Sequence, residues 1–258
     1  MLNEIIALVR RAGELLLSAH DISGVTREKH GPADLVTAYD EAVQAFLRRE
    51  LLALLPEADF YGEEGAHEAP TRPWAFVVDP IDGTTNFTRR MNYSNISVAL
   101  VHQGQAEYGV VYNPYVDELY AARRGQGATL NGVPIRVSDN DLRHGLVICG
   151  STIYDRRYTA QHFAILGQLY ERCMDYRRFA AAALDCCQVA AGRAELFFEC
   201  RLSPWDYAAG ALIVQEAGGI ATRLDGTPLD PLRPGSVFIA NPRCHAVLRE
   251  LDFPPVEL

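Results

Sequence analysis

VVDPIDGTTNF, residues 77–87, ends an apolar run with two acids three residues apart and follows them with Gly83, Thr84 and Thr85. The run itself, WAFVV at 74–78, is continuous in the manner of a strand buried on both faces. Asp79 thus stands at the downstream end of a predicted strand, where open α/β sheets present side chains to a ligand crevice. Pro80 fixes one backbone angle, Gly83 permits a turn or close approach, and Thr84-Thr85 can open a helix with outward N–H groups. Such a helix start suits a phosphate. Two carboxylates beside a phosphate repel it and each other unless a cation lies between them. Hard oxygen donors together with a phosphate select Mg²⁺. Taken alone, the stretch also reads as a turn in which both acids bond backbone N–H groups and Thr84 caps a helix.

Three further acids lie in comparable settings. Glu63-Glu64, in GEEG, follows a predicted strand and offers either another oxygen ligand or a solvated acidic loop. Asp40 ends TAYD and Asp206 ends SPWD; both fit a capping box, with Thr37 or Ser203 at the N-cap and Pro204 at the first helical position. A first-turn carboxylate also faces the end of its helix, so capping and metal ligation are compatible.

Around these positions the periodicity predicts helices through Leu2, Ile5, Ile6, Val9 and Leu16 and through Val43, Leu47, Leu51 and Leu54. KHGPADLVTAYD between them reads as a loop and helix entry. Residues 94–137 read as an antiparallel meander, with a hairpin turn at Asn131-Gly132. GQGATL is not a dinucleotide fingerprint, because Leu130 stands where a third glycine belongs. Strands and helices then alternate: LVICGS, a helix across 158–173, an Ala-rich helix across 181–192, ELFFE, and a helix from Pro204 to about Ala217. This predicts an α+β or α/β fold with a division near residue 140. Residues 1–140 carry most of these acids and 141–258 carry Asp206, the two parts together reading as one compact unit.

The chain has 258 residues, 48% of them hydrophobic, enough for a substantial core. Its formal net charge of −9 argues against nucleic acid or an anionic membrane as partner and favours small molecules and metals. MLNEIIALVRRAGELLL interrupts its apolar pattern with Glu4, Arg10 and Arg11, unlike a signal peptide, and no run approaches the ~18 apolar residues of a membrane span. A soluble cytoplasmic protein is expected. Six cysteines without CxxC or Cys/His spacing predict reduced, mostly buried thiols, and no HExxH supports a zinc site.

DLVTAYD at 34–40, GEEG at 62–65, WAFVVDPIDGTTNF at 74–87, GxGAxxNG at 125–132 and WDYAAGALIVQEAGG at 205–219 together resemble the inositol monophosphatase family. These are Mg²⁺-dependent, lithium-sensitive phosphatases, and order and spacing match along nearly the whole chain. The resemblance implies a layered αβαβα sandwich, usually a homodimer, hydrolysing small phosphomonoesters by direct attack of a metal-activated water. It implies two to three Mg²⁺ ions per site, with Mn²⁺ the alternative. Glu63, Asp79 and the Ile81 carbonyl would hold the first metal, Asp79, Asp82 and Asp206 the second, and Glu63 would support a third. It further gives Thr84, oriented by Asp40, the task of positioning the attacking water, and gives the N–H groups of Gly83, Thr84 and Thr85 the phosphate oxygens. Glu199 matches the family's acceptor for ring hydroxyls.

The departure falls at FAAAALD, where Ala180, Ala181 and Ala182 stand for the family's Gly, Ser or Thr, and Ala. A methyl is added where backbone approaches the ligand and a hydroxyl is lost, leaving the Ala182 N–H as the remaining contact. A site short of one polar partner discriminates less well. myo-Inositol monophosphate or a similar sugar or polyol phosphate is the first expectation. Histidinol phosphate, fructose bisphosphate or a 3′-phosphonucleotide is the second, and a non-catalytic metal- or phosphate-binding protein the third.

Overall fold

The computed structural model describes residues 1–20, 22–29, 35–65, 68–153 and 155–255. Most of the predicted loop before the second helix, Asp34 included, lies outside them. Helices α1 (Leu2–Leu17) and α2 (Ala38–Leu54) follow the predicted periodicity, and Thr37 caps α2 as expected. Between them a short antiparallel ribbon joins β1 (Thr26–Glu28) to β2 (Leu35–Thr37).

Seven strands in sequential order build the first sheet: β3 (Asp59–Gly62), β4 (Trp74–Asp82), β5 (Asn95–His102), β6 (Gln105–Asn113), β7 (Glu118–Arg123), β8 (Ala128–Leu130) and β9 (Val133–Ile135). β3 runs parallel to β4, and from β4 onward the pairing is an antiparallel meander. Asn131 and Gly132 turn β8 into β9 with φ of 50° and 78°, the left-handed pair that a two-residue hairpin demands. After α3 (Thr84–Thr88), the further α-helices among the described residues are α4 (Thr159–Tyr170), α5 (Ala182–Ala190), α6 (Pro204–Glu216) and α7 (Pro242–His245). The second sheet has five strands in the order β11 (Asp175–Arg177), β10 (Leu146–Cys149), β12 (Leu196–Leu202), β14 (Gly235–Ala240), β13 (Ile220–Thr222). β10, β11 and β12 are parallel, whereas β14 is antiparallel to β12 and β13.

Strand alternation sorts the side chains into layers. Phe76 and Val78 join α1 and α2 in one core, while Val77 faces the opposite way, toward α5 and α6. Across those helices Ile148 and Phe197 close the same central core, and Val147 and Phe198 point outward to Ile165 and Leu169 of α4. The result is an αβαβα sandwich. α6 lies between the two sheets, buried from Pro204 to Val214 apart from Asp206, which explains its lack of a polar face.

One prediction changes in a way that matters for the site. β4 does not stop at Asp79 but continues to Asp82, and DPID is strand rather than turn. Asp79 pairs with Ser97 and Asp82 with Asn95, so three steps on β4 oppose two on β5. This is a β-bulge, one extra residue in the strand. In an unbroken strand, residues three apart face opposite sides. The bulge brings Asp79 and Asp82 to the same side.

Candidate active site

The acids converge at the C-terminal ends of the parallel strands β3 and β4 and at the first turns of α2 and α6. Glu63, Asp79, Ile81, Asp82, Gly83, Thr84, Thr85, Ala182, Glu199 and Asp206 all line one open cavity of about 410 Å³. Asp40 lies just behind its wall, fully buried, with Thr84 Oγ1 3.3 Å from its Oδ1. The sequence-predicted residues are thus gathered in one place.

Capping and site geometry coexist, as the first-turn argument requires. Asp40 accepts the N–H and hydroxyl of Thr37 through Oδ2 (2.7 and 2.6 Å) and turns Oδ1 to Thr84. Asp206 accepts the Ser203 N–H through Oδ2 at 2.7 Å, which leaves Oδ1 for other partners. Thr84 Oγ1 also lies 3.0 Å from the Ile81 carbonyl. Its single proton can serve only one of these two acceptors at a time.

Asp82 has a further task that the sequence did not reveal. Its carboxylate accepts the N–H groups of Ala182 and Ala183 (3.0 and 2.8 Å) and the Asn95 amide (2.7 Å). The N-cap of α5 is Ala181, which has no side-chain oxygen, so Asp82 caps the helix from another element. The Ala182 N–H expected to read the substrate is donated to Asp82 in this arrangement. A carboxylate offers about four lone-pair sites. Three are taken, and one remains for a cation.

The electrostatics fit such a cation. Burial raises the Asp79 carboxyl well above its ordinary value, and the charges of Glu63, Asp82 and Asp206 push it further. Asp206 is likewise raised well above the carboxylate range, by burial and then by Asp82 and Glu63. Burial lifts Asp82 to about 6, against the opposing pull of its hydrogen bonds, and lifts Asp40 to about 6. Buried acids that repel one another in this way are a divalent-cation donor set of oxygen type. Among the described residues, no three of them stand in a finished coordination cage. Instead Lys29, unnoticed in the sequence, brings its ammonium to Glu63 (2.9 Å) and Glu64 (2.6 Å) at the cavity wall. Burial alone would lower the Lys29 pKa, but the two glutamates more than offset this and raise it.

The opposite wall is formed at the C-terminal edge of β10, β11 and β12. Glu199 Oε1 accepts the Thr152 N–H at 2.7 Å, and the other oxygen lies over Gly150, where a Cβ would come within 1.7 Å. Burial raises Glu199 to about 7. Ser151, Thr152, Arg178 and Arg201 line this end, and sequence reasoning missed all four. No local pattern marks them, because strand exits from separate parts of the chain bring them together.

The model of the inositol monophosphatase family matches residues 1–252. The chain belongs to the inositol monophosphatase family. It is 38% identical over 246 residues to the Nus factor SuhB of Escherichia coli K12, covering 94% of this chain and 92% of that one. The solved extragenic suppressor protein suhB of Bartonella henselae superposes with a TM-score of 0.89 at 33% identity, covering 96% of both chains. An IMPase from Thermotoga maritima does so with a TM-score of 0.87 at 32% identity, covering 97% of this chain and 95% of that one. No helix among the described residues is long and apolar enough to cross a membrane. All six cysteines are free, and all but the half-buried Cys173 are buried.

Proposed function

We propose that this chain hydrolyses a small phosphomonoester in a Mg²⁺-dependent reaction, with myo-inositol monophosphate or a similar polyol phosphate as the first substrate class. The observation that carries the reading is the hydroxyl of Thr84, set between Asp40 and the Ile81 carbonyl beside a cluster of buried acids. Membership of the family supports it, as does a staphylococcal IMPase-II, 27–28% identical, solved with inositol monophosphate and with 2′-AMP bound.

Glu63, Asp79, the Ile81 carbonyl, Asp82 and Asp206 would hold two to three Mg²⁺ ions, which supply charge neutralisation and an acidified water. The chain's own groups do the rest. Thr84 orients the attacking water and accepts its proton as its own hydroxyl proton moves to Asp40 Oδ1. With a carboxyl raised to about 6, Asp40 is ionised yet still basic enough near neutral pH for that transfer. The N–H groups of Gly83, Thr84 and Thr85, at the start of α3, receive phosphate oxygens, and Glu199 accepts a hydroxyl of the leaving group.

Phosphate release from a panel including inositol, histidinol, fructose and nucleotide phosphates, with and without Mg²⁺ and with added Li⁺, tests the reading. Metal-dependent release from an inositol or polyol phosphate is expected. Release from no member would remove the enzymatic assignment, and preference for histidinol phosphate or a 3′-phosphonucleotide would remove only the polyol one.

A second reading comes from the Nus factor relatives: a protein-binding role, with the chain as a homodimer. Phe163, Tyr170, Met174 and Tyr176, exposed on and beside α4 and the edge strand β11, favour it. Asp82→Asn separates the two roles, since it should abolish phosphate release while the exposed side chains of α4 and β11 remain in place.

A further inference from the structure

The cavity is bipolar. Its floor is acidic, with Glu63, Asp79, Asp82 and Asp206, whereas its far end carries Arg178 and Arg201 alongside the carboxylates of Glu199 and Asp155. The fold explains why both reach it. β10 pairs in parallel with β11 and with β12, so the three strands end at one edge. Chain leaving such an edge faces the ligand crevice. Arg178 is the first residue past β11, and its Nε donates to Ser151 Oγ at 2.9 Å, just past the end of β10. Arg201 lies two residues beyond Glu199 on β12, where the pairing with β14 shifts register, and it lines the same cavity as Glu199.

Neither guanidinium is within ion-pair distance of a carboxylate among the described residues, although this chain pairs many of its other arginines. The nearby rim acid Asp155 is held by Arg157 at 2.6 Å. Two planar cations at the leaving-group end of a phosphatase cavity, neither in an ion pair among the described residues, are not what a neutral polyol requires. A hydroxyl needs one acceptor, and Glu199 supplies it. A carboxylate or phosphate is what a guanidinium fork matches.

Resting on the phosphomonoesterase reading above and narrowing its polyol phosphate class, we infer that Arg178 and Arg201 select those members whose leaving group carries a second anionic group, a bisphosphate or a phosphorylated acid. The transferred phosphate lies at the acidic floor with its cations, and the second anion lies against the two arginines. Both side chains are exposed, so their replacement leaves the core untouched.

Matched substrates provide the test. 2-Phosphoglycerate differs from glycerol 2-phosphate only by a carboxylate in place of a hydroxymethyl group, and myo-inositol 1,4-bisphosphate adds one phosphate to the 1-phosphate. The full chain in Mg²⁺ should prefer the anionic member of each pair by about 10-fold or more in kcat/KM, as expected for a charge-assisted hydrogen bond. In the Arg178→Gln/Arg201→Gln double variant that ratio should collapse toward one. Equilibrium binding of the same four compounds, by calorimetry, should show the same preference and the same collapse. A ratio near one in the wild type, or a ratio unchanged in the double variant, would overturn the inference. If nothing is turned over, the phosphatase reading falls, and the binding ratios still decide whether the arginines read an anion.

Discussion

Ala180 holds φ at 63°, a left-handed conformation that an L side chain with a Cβ adopts only at a cost. This is the position at which the resemblance expects glycine, where the chain turns from β11 into α5, whose first N–H groups donate to Asp82. Ala180→Gly should relieve this strain. After the opposing gain in unfolded-chain entropy, a net stabilisation of about 0.5–1 kcal/mol is expected, read as a higher urea midpoint at unchanged slope. A lower midpoint would show that the alanine methyl packs better than its backbone suffers. Gly150 presents the reverse case. A Cβ there would lie 1.7 Å from Glu199 Oε2, the far end of a flexible side chain, so Gly150→Ala should displace the carboxylate rather than unfold the protein. The expected signature is a KM for polyol phosphates raised about 10-fold with kcat changed far less, since the contact lies on the leaving group. An unchanged KM would remove Glu199 from substrate recognition.

At the scale of elements, the site depends on how closely α6 lies against the first sheet. Gly109 of β6 lets it approach: a Cβ would come 2.8 Å from the Ala209 carbonyl and 3.2 Å from its Cα, both rigid backbone atoms. Gly109→Ala must therefore push α6 outward, and Asp206 in its first turn moves with it. A loss of about 1–3 kcal/mol in chemical denaturation is expected, together with weaker Mg²⁺ stabilisation. Wild-type stability in this variant would mean that α6 shifts without cost. Much at this scale was legible. The strand WAFVV, the capping boxes of α2 and α6 and the Asn131-Gly132 hairpin each have a local cause, and each formed where its residues predicted. The bulge in β4 was not legible, because it is defined by register against β5, and neither was the capping of α5 by Asp82. Lys29, Thr152, Arg178 and Arg201 belong to the same class. β11 is a three-residue, partly exposed edge strand without an apolar run. β14, GSVFIA, did carry a buried-strand pattern, but no motif drew attention to it.

For the whole molecule, the excess of buried acid sets a pH dependence opposite to that of ordinary acid denaturation. Burial raises Asp40 to about 6 and Glu64 and Glu199 to about 7, and raises Asp185 well above the carboxylate range, with the charge of Asp82 adding to it. In the unfolded chain such groups titrate near 4. Near neutrality the folded apo protein therefore binds more protons than the unfolded chain, and its stability falls as pH rises through the folded values. His162 and His245, lowered by burial, act in the opposite sense, but their contribution is complete by about pH 7, above the unfolded imidazole value. Surface acids lowered by arginine or histidine partners, such as Asp155 and Asp141, lose their contribution only in more acid solution. Without metal, the melting temperature should thus drop by several degrees between pH 6.5 and pH 8.5, since ~1 kcal/mol corresponds to a few degrees in a chain of this size. Mg²⁺ should reverse the trend. It binds the ionised carboxylates and competes with their protons, so the shift it produces should be larger at pH 8.5 than at pH 6.5. Asp82→Asn should lose most of that Mg²⁺ shift while the apo chain still melts cooperatively. Apo stability that rises with pH would mean that the acids are already compensated without a cation, and the ammonium of Lys29 would then be the group to remove first.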